Sequence, residues 1–181
     1  MLCEQVYAFE IDDNCIPIIK NQLTFNDLTN VKIVNKAVSN SSGEQLKISV
    51  FDHPNTTLSI RHNPNKDAFK MVETITLSDF CNSEKINPTL IKVDIEGAEY
   101  QALLGMEDLM KRSKNLKILL EVHPRQLKAT NVDSKMIVEL IKDLGYNAHF
   151  FGSHRNAPSK SNKKINPMNI LSENTMFLIK R

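Results

Sequence analysis

Hydrophobic residues recur along the chain with two different periods, which predict strands and helices. Apolar runs bounded by turn residues predict strands at residues 6–9, 31–38, 46–50, 71–77, 89–95, 116–122, 146–151 and 175–179. Apolar residues three and four positions apart predict helices at residues 14–25, 98–110 with a break at Gly105, and 134–144, and a helical turn at 78–81. This alternation predicts a single α/β domain over residues 1–181, with a largely parallel sheet.

The residues that follow each strand are the candidates for chemistry, because parallel α/β sheets bind ligands beyond the carboxyl ends of their strands. Glu10 follows the first strand, where a carboxylate can accept hydrogen bonds from the two hydroxyls of a ribose. It can equally be an exposed acid that caps the following helix. At the second strand end, Ala37, Val38 and Ser39 offer a small apolar surface and a hydroxyl to an adenine, although a plain strand-to-turn transition explains the same residues.

The segment IKVDIEGAE, residues 91–99, holds three carboxylates at the end of a buried strand. Asp94 ends the strand, Glu96 lies in the turn, and Gly97 permits a sharp exit into the next helix. Asp94 or Glu96 can orient a substrate hydroxyl, face a positive charge or act as a general base. Glu99 falls in the first helical turn, where the helix dipole favours acids, so we expect it to be a helix-end charge partner.

Glu121 and His123 lie at the end of the next buried strand, in the sequence LLEVHP. Because they are two residues apart on a strand, their side chains point to the same side and can form an acid–imidazole pair across the cleft from Asp94. A structurally satisfied histidine before Pro124 is the alternative. Together with Glu96, these side chains also suit a hard divalent cation, but their spacing is not diagnostic of a metal site, so we predict no metal ion.

Composition and charge narrow the class of ligand. The 23 Lys and Arg residues nearly balance the 21 Asp and Glu residues, and the formal net charge of +2 comes without a long block of one sign that would mark a nucleic-acid or membrane surface. No apolar run approaches the roughly 20 residues that span a bilayer. Cys3, Cys15 and Cys81 are widely spaced and odd in number, which argues against a disulfide framework and predicts a cytoplasmic location. We therefore expect a small-molecule ligand.

Five motifs occur in one order along the chain: VYAFE, IVNKAVSNSSGE, ITLSDF, LIKVDIEGAEYQALLG and LLEVHP. Together they resemble the FkbM-type methyltransferase family over most of residues 6–124. The VDIEGAE element, followed by a helix and LLG, is fairly specific to that family, whereas VYAFE recurs across Rossmann-like methyltransferases. The resemblance implies a Rossmann-like methyltransferase sandwich, in which an antiparallel C-terminal strand joins a mostly parallel sheet.

The resemblance also implies methyl transfer from S-adenosylmethionine, usually to an oxygen, with sugars and natural-product hydroxyls among the acceptors. It implies that Glu10 holds the ribose of the cofactor, that Ile11 also contacts the cofactor, that residues 37–39 lie near its adenine, and that Asp94 and Glu96 face the methyl group. The catalytic candidates are Asp94, Glu96, Glu121 and His123. Acceptor selectivity is expected to reside in the loops at residues 52–70 and 153–169.

The resemblance fails at the beginning of the chain. Members of the family carry a strand, a glycine-rich turn and a helix before VYAFE, whereas this chain has only residues 1–5 there. That strand normally lies between the strand that ends at Glu10 and the strand that ends at Asp94. A gap would leave unpaired backbone groups that cost about 1–3 kcal/mol each when buried. We therefore expect an N-terminally truncated domain, in which either these two strands pair directly or the natural protein is longer.

Two other functions remain open at this point. A nicotinamide-dependent oxidoreductase is one, because Glu10 suits the ribose of either cofactor. A degenerate Rossmann-like domain that binds without catalysis is the other, because the chain lacks the glycine-rich turn.

Overall fold

The computed structural model describes residues 3–50, 68–153 and 175–180, in which strands and helices alternate. The strands are β1 (Val6–Phe9), β2 (Val31–Val34), β3 (Ala37–Val38), β4 (Gln45–Val50), β5 (Ala68–Ile75), β6 (Leu90–Val93), β7 (Lys117–Val122), β8 (Asn147–Ser153) and β9 (Thr175–Lys180). The helices are α1 (Cys15–Phe25), α2 (Leu77–Ser83), α3 (Glu99–Leu104), α4 (Glu107–Arg112), α5 (Pro124–Ala129) and α6 (Ser134–Asp143). The predicted α/β class is confirmed.

The described strands form three sheets. β1 pairs with β2 in parallel, and β3 pairs in parallel with β5, which also carries β4 on its other edge as an antiparallel partner. The largest sheet has the order β6-β7-β9-β8, in which β6 and β7 are parallel and β9 lies antiparallel between β7 and β8. This arrangement confirms the Rossmann-like prediction and its antiparallel C-terminal strand.

The first strand is attached to the main core by aromatic side chains. Within residues 3–50, 68–153 and 175–180, no strand pairing joins β1 to β6, so the direct pairing that was one of the two expected arrangements is not observed. Tyr7 and Phe9 instead contact Phe80 of α2 edge to face, with ring centroids 5.2 and 4.9 Å apart. Such contacts contribute beyond the apolar area that they bury. Phe80 therefore connects β1 to the core.

The continuous strand predicted at residues 31–38 is wrong, because it is interrupted at Asn35 and Lys36. β2 pairs with β1, whereas β3 pairs with β5. The side-chain amide of Asn35 donates a hydrogen bond to the backbone oxygen of Glu10 at 2.9 Å, and Lys36 forms an ion pair with Glu73 at 2.7 Å. These polar contacts divide one apolar run between two sheets.

The main core is centred on β6, β7 and the helices that follow them. Ile118 and Leu120 of β7, Leu103 of α3 and Leu109 of α4 are completely buried. The predicted break at Gly105 is confirmed, since α3 ends immediately before it and α4 begins two residues later. Tight packing of this core fixes the carboxyl ends of β6 and β7 relative to each other.

Helix α6 confirms the prediction at residues 134–144, and the carboxylate of Asp133 accepts a hydrogen bond from the backbone N–H of Lys135, as a helix cap does. Helix α5 was not predicted. It begins with Pro124, at the position in a helix where the missing N–H carries no penalty. This short helix follows β7 directly and packs against the turn after β6.

Most of the loops predicted at residues 52–70 and 153–169 lie outside the described residues. Within the part of the chain that the structure describes, no helix has the length and apolar character needed to cross a membrane.

Candidate active site

The turn between β6 and α3 holds two consecutive residues in the left-handed region of backbone space. Glu96 has a φ of 49° and Gly97 a φ of 110°. Glycine adopts such angles readily, whereas for glutamate they are uncommon and are found where the surrounding structure imposes them. A Cβ atom on Gly97 would lie 2.6 Å from the Cβ of Gln126 in α5, too close to be tolerated. Glycine at this position therefore lets the turn pack directly against α5.

His123 follows β7 and is completely buried. Its Nδ1 lies 2.6 Å from Oε1 of Glu99, the first residue of α3, which is completely buried as well. Because an ionised carboxylate can only accept, Nδ1 carries the hydrogen and donates it. The same oxygen accepts a second hydrogen bond from the backbone N–H of Gly97 at 2.9 Å. Glu99 thereby fixes the orientation of the imidazole.

The other ring nitrogen of His123, Nε2, faces three carboxylates. The nearest oxygens belong to Glu96 at 3.5 Å, Glu121 at 3.6 Å and Asp94 at 3.8 Å. Hydrogen bonds of this kind are normally shorter than about 3.2 Å, and Nε2 has no hydrogen-bond partner among the described residues. The four side chains predicted as catalytic thus meet at one place. Together with Glu99 they form what we call the carboxylate–histidine cluster.

In two carboxylates of the cluster, the oxygen that does not face His123 binds a neighbouring side chain. The ammonium group of Lys92 lies 2.7 Å from Oδ2 of Asp94. The side-chain amide of Gln126 donates a hydrogen bond to Oε2 of Glu96 at 2.9 Å. The oxygens that face His123 are in both cases the remaining ones, Oδ1 of Asp94 and Oε1 of Glu96. Neighbouring side chains therefore set the direction in which both carboxylates point.

The surroundings of His123 act on its pKa in opposite directions. Burial of the imidazole lowers its pKa, because a charged ring is less stable away from water. The hydrogen bond with Glu99 and the negative charge of Glu99 act against this, and the charges of Glu96 and Glu121 add to them. The carboxylates prevail, so that the pKa of His123 is raised above its ordinary value.

Glu10 lies where it was predicted, immediately after β1. Its Oε1 accepts a hydrogen bond from the backbone N–H of Asp12 at 2.8 Å, and its own N–H donates to the backbone oxygen of Val34 at 3.1 Å. The start of α1 is satisfied by Asp12, whose Oδ1 accepts from the N–H of Asn14 at 2.8 Å. Asp12 therefore stabilises the turn that leads into α1, and because Asn14 occupies the N-cap position, neither Glu10 nor Asp12 is the N-cap residue.

The remaining predicted cofactor residues lie in and beside the small sheet of β3, β4 and β5. Ala37 is buried, and Ile11 packs against the apolar cluster to which Ala37 belongs. Val38 and Ser39 are half-buried at the end of β3. The backbone oxygen of Ser39 lies so close to Gly105 that a Cβ there would be 2.0 Å away. The α3–α4 junction therefore packs directly against the end of β3.

The sequence profile of the methyltransferase FkbM domain matches residues 3–148. The chain belongs to this family. The FkbM resemblance drawn from five motifs is thereby confirmed, and the matched residues include every predicted site residue from Glu10 to His123.

The fold of the FkbM domain is similar to a solved structure, the crystal structure of methyltransferase FkbM from Methylobacillus flagellatus KT. The TM-score is 0.57 at 16% sequence identity, and the match covers 97% of this chain and 36% of that chain. At this level of identity, the likeness bears on the fold alone. No curated protein matches the sequence.

Three residues of the FkbM domain that shape the site were missed or misjudged from the sequence. Glu99 does begin a helix as expected, but it is buried and paired with His123. Lys92 and Gln126 orient the carboxylates of Asp94 and Glu96 and were not predicted at all. Lys92 was detectable, because it is two residues before Asp94 on the same strand and so points to the same side. Gln126 was not, because its helix was not predicted.

Proposed function

We propose that this FkbM domain transfers a methyl group from S-adenosylmethionine to a hydroxyl oxygen of a small acceptor such as a sugar or a natural product. The observation that supports this most is the carboxylate–histidine cluster, built at the ends of two adjacent parallel strands in a domain of a methyltransferase family. Ligands of open α/β sheets bind at such strand ends. The three free cysteines favour placing the reaction in the reducing cytoplasm.

The residues at the ends of β1 and β3 fit the nucleoside part of this cofactor. Glu10 carries a half-buried carboxylate whose Oε1 is held by the N–H of Asp12, and a carboxylate at this strand end suits the two hydroxyls of a ribose. Ile11, Val38 and Ser39 are half-buried and offer apolar surface and one hydroxyl to an adenine. The negative charge of Asp94 and Glu96 suits the positive charge of the sulfonium.

The chain's own residues would position the acceptor and remove its proton. S-adenosylmethionine, when bound, supplies an electrophilic methyl group on a positively charged sulfur. A neighbouring hydroxyl of the acceptor would donate a hydrogen bond to Asp94 or Glu96, which positions the reacting hydroxyl with its single hydrogen directed at Nε2 of His123. The proton of the reacting hydroxyl would pass to Nε2 of His123 as the oxygen becomes a nucleophile. Glu99, bonded to the opposite nitrogen, stabilises the imidazolium that forms, and the raised pKa of His123 strengthens it as a proton acceptor.

Calorimetric titration with S-adenosylhomocysteine tests the cofactor part of the proposal. We expect saturable binding, weakened about tenfold by Glu10→Gln, since a lost hydrogen bond to an ionised group costs about 1.5–3 kcal/mol. Gln retains an oxygen for the N–H of Asp12, so the turn after β1 is preserved. Glu139→Gln, the same change at an exposed position of α6, is the control and should bind like the unaltered chain. Absence of saturable binding by the unaltered chain would contradict the proposal.

Methyl transfer itself is measured with a labelled methyl group and a panel of sugars and phenolic or aliphatic alcohols. We expect the labelled methyl group to appear in a methyl ether of the acceptor. With the variant His123→Asn, we expect no labelled ether. Binding of S-adenosylhomocysteine without transfer to any acceptor would favour a domain that binds only. Preferential binding of a nicotinamide dinucleotide would instead favour the oxidoreductase alternative.

A further inference from the structure

The unpartnered nitrogen of His123 points to a ligand that the protein itself does not provide. Nε2 belongs to a completely buried side chain, has no hydrogen-bond partner among the described residues, and faces the carboxylates of Asp94 and Glu96. With Nδ1 donating to Glu99, Nε2 either carries a hydrogen that no described atom accepts or directs its lone pair at these negatively charged oxygens. Buried polar atoms normally have a partner, so a cation between the imidazole and the carboxylates is indicated.

The distances within the cluster agree with a small metal ion. Nitrogen and oxygen ligands lie about 2.0–2.2 Å from such an ion, so two ligands at a tetrahedral angle are about 3.3–3.6 Å apart. Nε2 of His123 is 3.5 Å from Oε1 of Glu96 and 3.8 Å from Oδ1 of Asp94, and one ligand atom from each of the three residues lies within 4.8 Å of the others. The distance to Glu96 falls within this range and the distance to Asp94 slightly exceeds it, whereas a direct hydrogen bond would be shorter than either.

Each of the three residues is oriented by a neighbour that binds its other polar atom. Lys92 holds Oδ2 of Asp94, and Gln126 holds Oε2 of Glu96. The carboxylate of Glu99 accepts the hydrogen of His123 Nδ1, the partnership that metal-binding histidines typically have. All three potential ligand atoms are thereby directed to a common point. We propose that Asp94, Glu96 and His123 bind a divalent transition-metal ion there.

The charge of the cluster and the type of its ligands indicate which ions are suitable. Four carboxylates surround one imidazole, and one of them, Asp94, is paired with the ammonium group of Lys92. A divalent cation reduces their mutual repulsion. One imidazole nitrogen with two carboxylate oxygens suits Mn²⁺, Fe²⁺ or Zn²⁺, whereas Ca²⁺ prefers oxygen ligands alone. Glu121, whose Oε1 is 3.6 Å from Nε2, adds negative charge close to the site.

The proposed metal site lies at the same strand ends as the proposed methyl transfer. Metal binding itself does not depend on methyl transfer. Metal binding and the proton-accepting role proposed above use the same atom, Nε2 of His123, so the bound ion would replace His123 in that role. A hydroxyl bound to the ion would lose its proton more readily, and a carboxylate of the cluster such as Glu121 would receive it. Metal binding is measurable without cofactor or acceptor, so its failure and the failure of methyl transfer are distinguishable.

The test is a titration of the chelator-treated chain with Mn²⁺. Electron paramagnetic resonance measures the concentration of unbound Mn²⁺ at each step of the titration. We expect one tightly bound Mn²⁺ per chain. Loss of an orienting partner alone weakens metal sites about 10–100-fold, so Asp94→Asn and Glu96→Gln, which alter ligands, should each weaken binding about tenfold or more. Asp108→Asn, on the exposed side of α4, is the matched control and should bind Mn²⁺ like the unaltered chain.

Two comparisons complete the test. Circular dichroism spectra of Asp94→Asn and Glu96→Gln that match the unaltered chain would exclude misfolding as the cause of weaker binding. Ca²⁺ should bind less tightly than Mn²⁺ because a nitrogen ligand takes part. Absence of saturable Mn²⁺ binding, equal affinity in both ligand variants and the control, or a preference for Ca²⁺ would each overturn the proposal.

Discussion

The two strand ends that carry the candidate chemistry are supported by very different amounts of packing. In the cluster region, residues 90–129, four of the six residues of β7 are buried, and α3 and α4 contribute completely buried leucines. In the first-strand region, residues 6–34, β1 and β2 are only partly covered and α1 has no buried residue. The carboxylate–histidine cluster therefore rests on the core, whereas Glu10 rests on a few hydrogen bonds and aromatic contacts.

This difference bears on how each end performs its role. Groups that act on a reacting atom must be held in place before the substrate arrives, and Glu99, Lys92 and Gln126 do this for the cluster. Glu10 is held by the N–H of Asp12 and by its backbone contacts with β2. We therefore expect changes in the first-strand region to affect local opening, and changes in the cluster to affect chemistry and global stability.

The largest expected effect comes from removing the aromatic contact that joins the first-strand region to the main core. Phe80→Ala should destabilise the protein by about 3–5 kcal/mol, the usual range for a buried phenylalanine, because Phe80 is 7% exposed and touches Tyr7 and Phe9. Urea denaturation measures this loss. Hydrogen exchange should show the amides of β1 opening more than those of β7.

Phe25→Ala provides the control, because this ring in the last turn of α1 is 86% exposed. Its removal should change stability by no more than about 0.5 kcal/mol. The first strand would not depend on Phe80 if Phe80→Ala and Phe25→Ala lost equal stability. The same would follow if the β1 amides of Phe80→Ala stayed as protected from exchange as those of β7.

An intermediate effect is expected inside the cluster. Glu99→Gln removes the charge from a completely buried carboxylate that accepts hydrogen bonds from His123 and from the N–H of Gly97. A hydrogen bond to a charged group contributes about 1.5–3 kcal/mol, and urea denaturation should reveal a loss of that order. Mn²⁺ affinity should fall about 10–100-fold, as when an orienting carboxylate is removed.

Glu139→Gln at the exposed face of α6 should alter neither stability nor Mn²⁺ affinity. If Glu99→Gln retained the stability of the unaltered chain, the pairing of Glu99 with His123 would not support the cluster. If it lost stability but kept full Mn²⁺ affinity, the role of Glu99 would be in folding alone.

Sequence patterns predicted the elements of the fold better than the contacts of the site. The apolar runs of β1 and β7 are local features, and they were predicted correctly. The break at Asn35 depends on a hydrogen bond to Glu10, 25 positions earlier, and the partnership of Glu99 with His123 spans 24 positions. Such contacts exist only once neighbouring strands have aligned, so periodicity does not reveal them.

The smallest expected effect is a pH dependence of protein stability. It arises from hydrogen bonds between α2 and the turn before β4. The hydroxyl of Ser42 donates a hydrogen bond to Oδ2 of Asp79 at 2.5 Å, and the backbone N–H of Asp79 donates to Oγ1 of Thr76 at 3.0 Å. The hydrogen bond that the Asp79 carboxylate accepts from Ser42, followed by its own interaction with the Thr76 side chain, lowers the pKa of Asp79 below its ordinary value. The folded protein therefore binds this proton less readily than the unfolded chain does.

The stabilisation from Asp79 should thus be complete above the unfolded pKa of about 3.9 and should disappear as the pH falls through the lower pKa of the folded state. Asp79→Asn removes the ionisable group, so the difference in melting temperature between this variant and the unaltered chain should narrow as the pH is lowered from neutrality towards 3. Circular dichroism melts at several pH values measure it. Ser42→Ala, which keeps the carboxylate but removes its donor, should produce the same narrowing, and a difference that stays constant with pH would contradict this role of Asp79.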